Sequence, residues 1–96
     1  MSIRIICIGK SGGYHADPHH AIQRLGFLDE GTGNTDIWNR LEMYDWIKTG
    51  GVAYVRDARD NTAYVRTREH AKGTKYLQTC AGRVWTDNLL ALTECL

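Results

Sequence analysis

The stretch AYVRD at 53–57 returns almost unchanged as AYVRT at 63–67, with a short polar interval between. Few chains offer a stronger constraint. Alternation of small apolar and large polar residues has period two, which a strand satisfies and a helix does not. Two such runs joined by a few turn-forming residues predict an antiparallel hairpin. With a three-residue loop at Arg59-Asp60-Asn61 and Asn61 in the left-handed position, residue 56 faces 64 and 54 faces 66. Ala53, Val55, Ala63 and Val65 then share one apolar face. Tyr54, Arg56, Tyr64 and Arg66 share the other, each arginine opposite a tyrosine. A one-residue slip would mix the two faces, so burial enforces the sidedness.

The hairpin needs neighbours. TKYLQTC, 74–80, reads as a third strand ended by Gly82, and SIRIICI, 2–8, as a central strand with apolar residues on both faces. NTDIWNRLEMYDWIKTGG predicts the main helix over 35–48. Asn34 or Thr35 caps it, Ile37, Leu41, Tyr44 and Ile47 form its core stripe, and Trp38 and Trp46 flank that stripe. Asp17 and Pro18 read as the start of a short helix, 18–25, that Gly26 closes in a left-handed C′ position with Phe27 against Ile22. The C-terminal segment from residue 84 reads as a final short helix through Leu89, Leu90 and Leu92, with an extended edge as the alternative. The expected class is α+β. A small antiparallel sheet, made of the N-terminal strand, the hairpin 52–68 and the strand 74–80, packs on the main helix in a single domain spanning 1–96.

MYDWIKTGGVAYVRDARDNTAYV, with GTKYLQT, WTDNLLAL and the early HADPHHAI and LGF, resembles a family of small uncharacterised domains of about 100 residues found in bacteria, archaea and some viruses. The likeness covers nearly the whole chain. The chain departs from that pattern where it reads LTEC and the family tends to LPEC. The resemblance implies no activity, because the family is a domain of unknown function.

Function classes are narrowed by what is absent. The first residues lack a secretory pattern, and no run approaches the roughly 18–20 apolar residues of a membrane span. The three cysteines are far apart and read as free thiols of a cytoplasmic protein, with an intermolecular bond through Cys95 as a minor alternative. GKS at 9–11 lacks the upstream glycine of a phosphate-binding loop, because Arg4 stands there. No paired-carboxylate or nucleophile–base pattern marks an enzyme, and no cofactor is implied.

Two constellations remain. HADPHH places His15, Asp17, His19 and His20 close together, a zinc-like set that also reads as a helix start. The second is the strand face of Tyr54, Arg56, Tyr64, Arg66 and Arg68, with Lys72 and Lys75 nearby. Residues 52–83 carry seven basic and three acidic side chains, while the whole chain is at +1. This face reads first as the contact of a non-enzymatic binding or regulatory module with a protein partner, because Asp57, Asp60 and Glu69 lie among the arginines in sequence. The alternatives are nucleic acid, held by stacking and phosphate contacts, and a small zinc-binding protein. No oligomeric state follows from the sequence.

Overall fold

The computed structural model describes residues 2–10, 18–71 and 73–95. Seven strands form one sheet: β1 (Ser2–Lys10), β2 (Ile22–Asp29), β3 (Thr35–Asn39), β4 (Val52–Arg56), β5 (Thr62–Glu69), β6 (Lys75–Ala81) and β7 (Val84–Thr86). Their spatial order is β3-β2-β1-β4-β5-β6-β7. Among the described residues one α-helix forms, α1 (Arg40–Lys48), which links β3 to β4. The pairing of β1 with β4 is parallel and every other strand pair is antiparallel, so the sheet is mixed. The expected α+β packing of a small antiparallel sheet on a long helix is therefore corrected to a strand-dominated fold with one nine-residue helix. No helix among the described residues is long and apolar enough to cross a membrane.

The correction at residues 18–25 comes from an extra residue that imitates helical spacing. Ile22 and Leu25 are both buried, three apart, as on a helix face. They lie on β2 because the register against β1 shifts between Gly9–Arg24 and Lys10–Ile22, so Gln23 is an extra residue that restores the inward direction. The expected helix 18–25 shrinks to a 3₁₀ turn, Pro18–Ala21, and Gly26 is a strand residue rather than a helix terminator. The Asp17 cap lies outside the described residues. On β1 the extra residue is Ile6, which lets Ile5 and Ile8 both point inward while Ile6 stays 37% exposed. The β1 strand is central, as read, and on its outer side Ile6 is part-exposed.

The expected helix 35–48 splits at Asn39. Thr35–Asn39 pairs with β2 from Thr35–Leu28 to Asn39–Arg24. The helix starts where a capping box can form: Asn39 Oδ1 accepts from the Glu42 N–H (2.8 Å) and Glu42 Oε1 accepts from the Asn39 N–H (3.1 Å). Ile37 and Leu41, placed in the core stripe by periodicity, are exposed, and Met43 and Tyr44 are the buried helix residues. Trp38 meets Phe27 edge-on at 4.8 Å and Trp46 at 5.7 Å, so the aromatics wedge the helix against the sheet. At Gly51 a side chain would collide with the Trp46 ring, which explains the glycine after the helix.

Helix α1 lies across one face of the sheet, touching β2, β3, β5 and β6. That inner face holds the core: Ile3, Ile5, Ile8, Ile22, Leu25, Phe27, Ala53, Val55, Val65 and Leu77, closed by Met43, Tyr44 and Leu89. The expected C-terminal helix is absent. Val84–Thr86 is the edge strand β7, followed by turns that sink Leu89 into the core.

The chain then returns to β1. Thr93 accepts from the Ile8 N–H (3.0 Å) and the Cys95 N–H donates to the Ile8 carbonyl (2.9 Å), beyond the point where β4 stops pairing with β1 at Arg4–Tyr54. Cys95 is bonded to Cys7, 88 residues away, with the Cα atoms 5.0 Å apart. The reading of three free thiols is thus corrected: only Cys80 remains free. The bridge passes over Gly26, where a Cβ would collide with the Cys7 sulfur and lie 3.0 Å from that of Cys95.

Candidate functional site

The hairpin forms with the expected sidedness but a different register. The pairs are Tyr54–Tyr64, Val55–Ala63 and Arg56–Thr62, not 54–66 and 56–64. The loop is 58–60, and Asp60 takes the left-handed conformation (φ 68°) expected of Asn61. Asp57 decides this. Its Oδ1 accepts from the N–H groups of Arg59 (2.8 Å) and Asn61 (2.9 Å), and its Oδ2 from the Asn61 side chain (3.2 Å). The hydrogen bond from the Asn61 backbone, the largest influence, holds the Asp57 carboxyl below the ordinary aspartate range, with smaller help from the Asn61 side chain and Arg59. A two-residue change of register keeps every side chain on its face. Ala53, Val55, Ala63 and Val65 are buried as expected.

The opposite, outer face is built by register. Leu28, Arg4, Tyr54, Tyr64, Cys80 and Trp85 are successive cross-strand partners on six adjacent strands. Along β5 the outward series continues through Arg66, which faces Gln78, and Arg68, which faces Tyr76. Tyr64 is 46% exposed and Trp85 43%. The rings of Tyr54 and Tyr64 meet edge-on at 6.5 Å. Beside them a shallow cavity of about 310 Å³ is lined by Ser2, Val52, Tyr54, Arg56, Thr62 and Tyr64.

Arg56 and Arg68 are held in place. Arg68 lies 4.3 Å from the Trp85 ring centre and 5.6 Å from that of Tyr76. Its Nη1 donates to Gln78 Oε1 (2.8 Å), whose Nε2 in turn donates to the Thr86 carbonyl (3.2 Å). Arg56 sits 5.5 Å from the Tyr54 ring and 3.4 Å from Asp60. The outward positions of β1 and β4–β7 carry Arg4, Arg56, Arg66 and Arg68 and, among the described residues, no acidic side chain. Among the described residues, Arg56 thus meets an acid only at the rim, in the loop residue Asp60.

Of the residues singled out from sequence, Tyr54, Arg56, Tyr64, Arg66 and Arg68 therefore share one surface. Lys75 does not. It pairs with Glu69 on the inner side, and its Nζ lies 5.5 Å from the ring of Tyr44 on α1. Lys72 lies outside the described residues. Arg4, Gln78 and Trp85 belong to the face but escaped the sequence reading, because strand order, not spacing, brings them there. The outward parity of Arg4 between Ile3 and Ile5 was the one available signal.

His15 and Asp17 of HADPHH lie outside the described residues. His19 is buried, with Nε2 3.6 Å from Asp87 Oδ1. Among the described residues no cluster of three or more histidine, cysteine, aspartate or glutamate side chains is placed to hold a metal.

Fold and face together define a strand-dominated domain that shields one side of a mixed sheet with a helix and leaves an arginine–aromatic side open. The chain belongs to the family described as protein of unknown function (DUF3892), whose model matches residues 4–93. No curated protein and no solved structure matches it.

Proposed function

We propose that this domain binds single-stranded nucleic acid on its outer sheet face, without chemistry of its own. The observation that carries the reading is the absence of acid from the outward strand positions that hold four arginines beside two part-exposed aromatics. Guanidinium groups match phosphate oxygens in a bidentate way. Tyrosine and tryptophan offer rings on which any base can stack. An open sheet face suits a strand whose bases are splayed outward.

A protein partner is favoured by sequence order, where three acids stand among the arginines. Register and turn geometry weaken that support: Glu69 points inward, Asp57 is occupied by its turn, and Asp60 meets Arg56 at the rim. The cavity beside Tyr54 and Tyr64, at about 310 Å³, lies at the small end of ligand-pocket volumes, as suits a single base.

The test is a fluorescence-anisotropy titration with short single-stranded DNA and RNA near 150 mM salt. Affinity should fall with salt with a log–log slope of about −0.7 per phosphate contact. Tyr64→Ala and Trp85→Ala should each weaken binding by about 1–3 kcal/mol. Absence of oligonucleotide binding, together with a specific protein whose capture Arg66→Glu abolishes, would restore the protein-partner reading.

A further inference from the structure

The Cys7–Cys95 bridge closes the C-terminal segment onto β1 in a way that makes it separable from the rest of the fold. Up to Leu92 the chain is anchored, since Leu89 is fully buried and Leu90 and Leu92 pack against the core. Beyond it, Thr93 and Glu94 are exposed, and among the described residues the backbone bonds to β1 are the two made by Ile8. β1 itself does not depend on them: it is paired with β2 along its length and with β4 at Ser2–Arg4. Both bridged cysteines are half-buried and line an open groove of about 450 Å³ with Ile6, Gly26 and Ile37, so a reductant can reach the sulfurs. Accessible bridges are the labile and regulatory ones, and buried ones the permanent ones.

We infer that Cys7–Cys95 is a redox latch that holds residues 93–95 against β1 when oxidised and releases them when reduced. This goes beyond the proposed binding face and does not depend on it. The reductant is a dithiol. One of its thiolates attacks one sulfur of the bridge, breaking the Cys7–Cys95 bond and forming a mixed disulfide. Its second thiol then displaces the protein sulfur. The dithiol leaves as a disulfide, and Cys7 and Cys95 take up its two protons as thiols. Two electrons pass from dithiol to protein. Once released, the segment uncovers the Ile8 N–H and carbonyl, a free stretch of strand edge on a central strand of the sheet. The groove over Gly26 loses the wall that Cys95 supplied.

The experiment is residue-resolved amide exchange on the full chain carrying Cys80→Ser, which prevents exchange with the free thiol. It compares the air-oxidised protein, the protein in dithiothreitol, and a Cys7→Ser/Cys95→Ser form. The Ile8 and Cys95 amides should exchange about tenfold faster or more in dithiothreitol and in the double variant, the change that a loss of about 1.4 kcal/mol of local stability produces. Amides of β5 and β6 should keep their protection. Equal protection of Ile8 and Cys95 in all three forms overturns the latch. Loss of protection throughout the sheet on reduction also overturns it, because the bridge would then hold the whole fold. Alkylation that finds Cys7 and Cys95 both free in the air-oxidised protein overturns it as well. Oligonucleotide binding enters none of these outcomes, so the latch and the binding face fail separately.

Discussion

The two faces of the hairpin differ by one residue in chain position and by almost everything in environment. Ala53, Val55, Ala63 and Val65 sit at 1–3% exposure under α1, and Tyr64, one residue from Ala63, is 46% exposed. Burial on the inner side is what folding requires, since removal of apolar surface from water is its main favourable contribution. The outer side is under no such demand. There Arg56 is positioned by a ring, and Arg68 by two rings and by Gln78, at sites where stability alone would accept any polar residue. The contrast separates what holds the molecule together from what it presents to others.

The largest effect should come from breaking the inner face. Leu25 is fully buried, so Leu25→Ala should lower the unfolding free energy by about 2–5 kcal/mol, read from denaturant midpoints. A loss under about 1 kcal/mol would mean that the inner layer is not the core. Trp46 comes next. It is half-buried between Trp38 and Gly51 rather than enclosed, so Trp46→Ala should cost about 2–3 kcal/mol, short of the largest values for a fully buried tryptophan.

The same substitution logic on the outer face should give the reverse pattern. Tyr64→Ala and Arg66→Ala should each change stability by no more than about 0.5 kcal/mol, while altering whatever binding the face supports. If either destabilises the fold as much as Leu25→Ala, the division between the faces collapses.

The smallest effect is a pH effect at the hairpin tip. The Asp57 carboxyl has its folded value lowered, so its turn is favoured above the ordinary aspartate value of about 3.9 and loses that support as pH falls through the lowered one. The amide signals of Arg59 and Asn61 should titrate with a midpoint below about 3.9, and Asp57→Asn should abolish the titration. A midpoint at or above that value would remove the turn from the account of the register.

In the second half of the chain, the sequence by itself determined a great deal. The alternation in AYVR specified strands, their sidedness and the five residues Tyr54, Arg56, Tyr64, Arg66 and Arg68 that share the outer face, because period two leaves no freedom about which side a residue takes. It could not determine register to within two residues. A shift of two preserves every face, and the choice fell to Asp57, which satisfies backbone donors of the loop that Asn61 was expected to shape. In the first half, local periodicity misled. The extra residue Gln23 gave β2 the spacing of a helix, and the Asn39–Glu42 capping pair, visible in the sequence, was outweighed by a stripe that ran through it. Everything that depends on strand order was decided by the tertiary structure: Arg4 and Trp85 on the arginine face, Lys75 on the other side, and Cys7 beside Cys95. The reason is that strand pairing joins residues through backbone groups that are alike at every position. Which strands become neighbours is then set by how the whole sheet buries its inner face, a property no single segment carries.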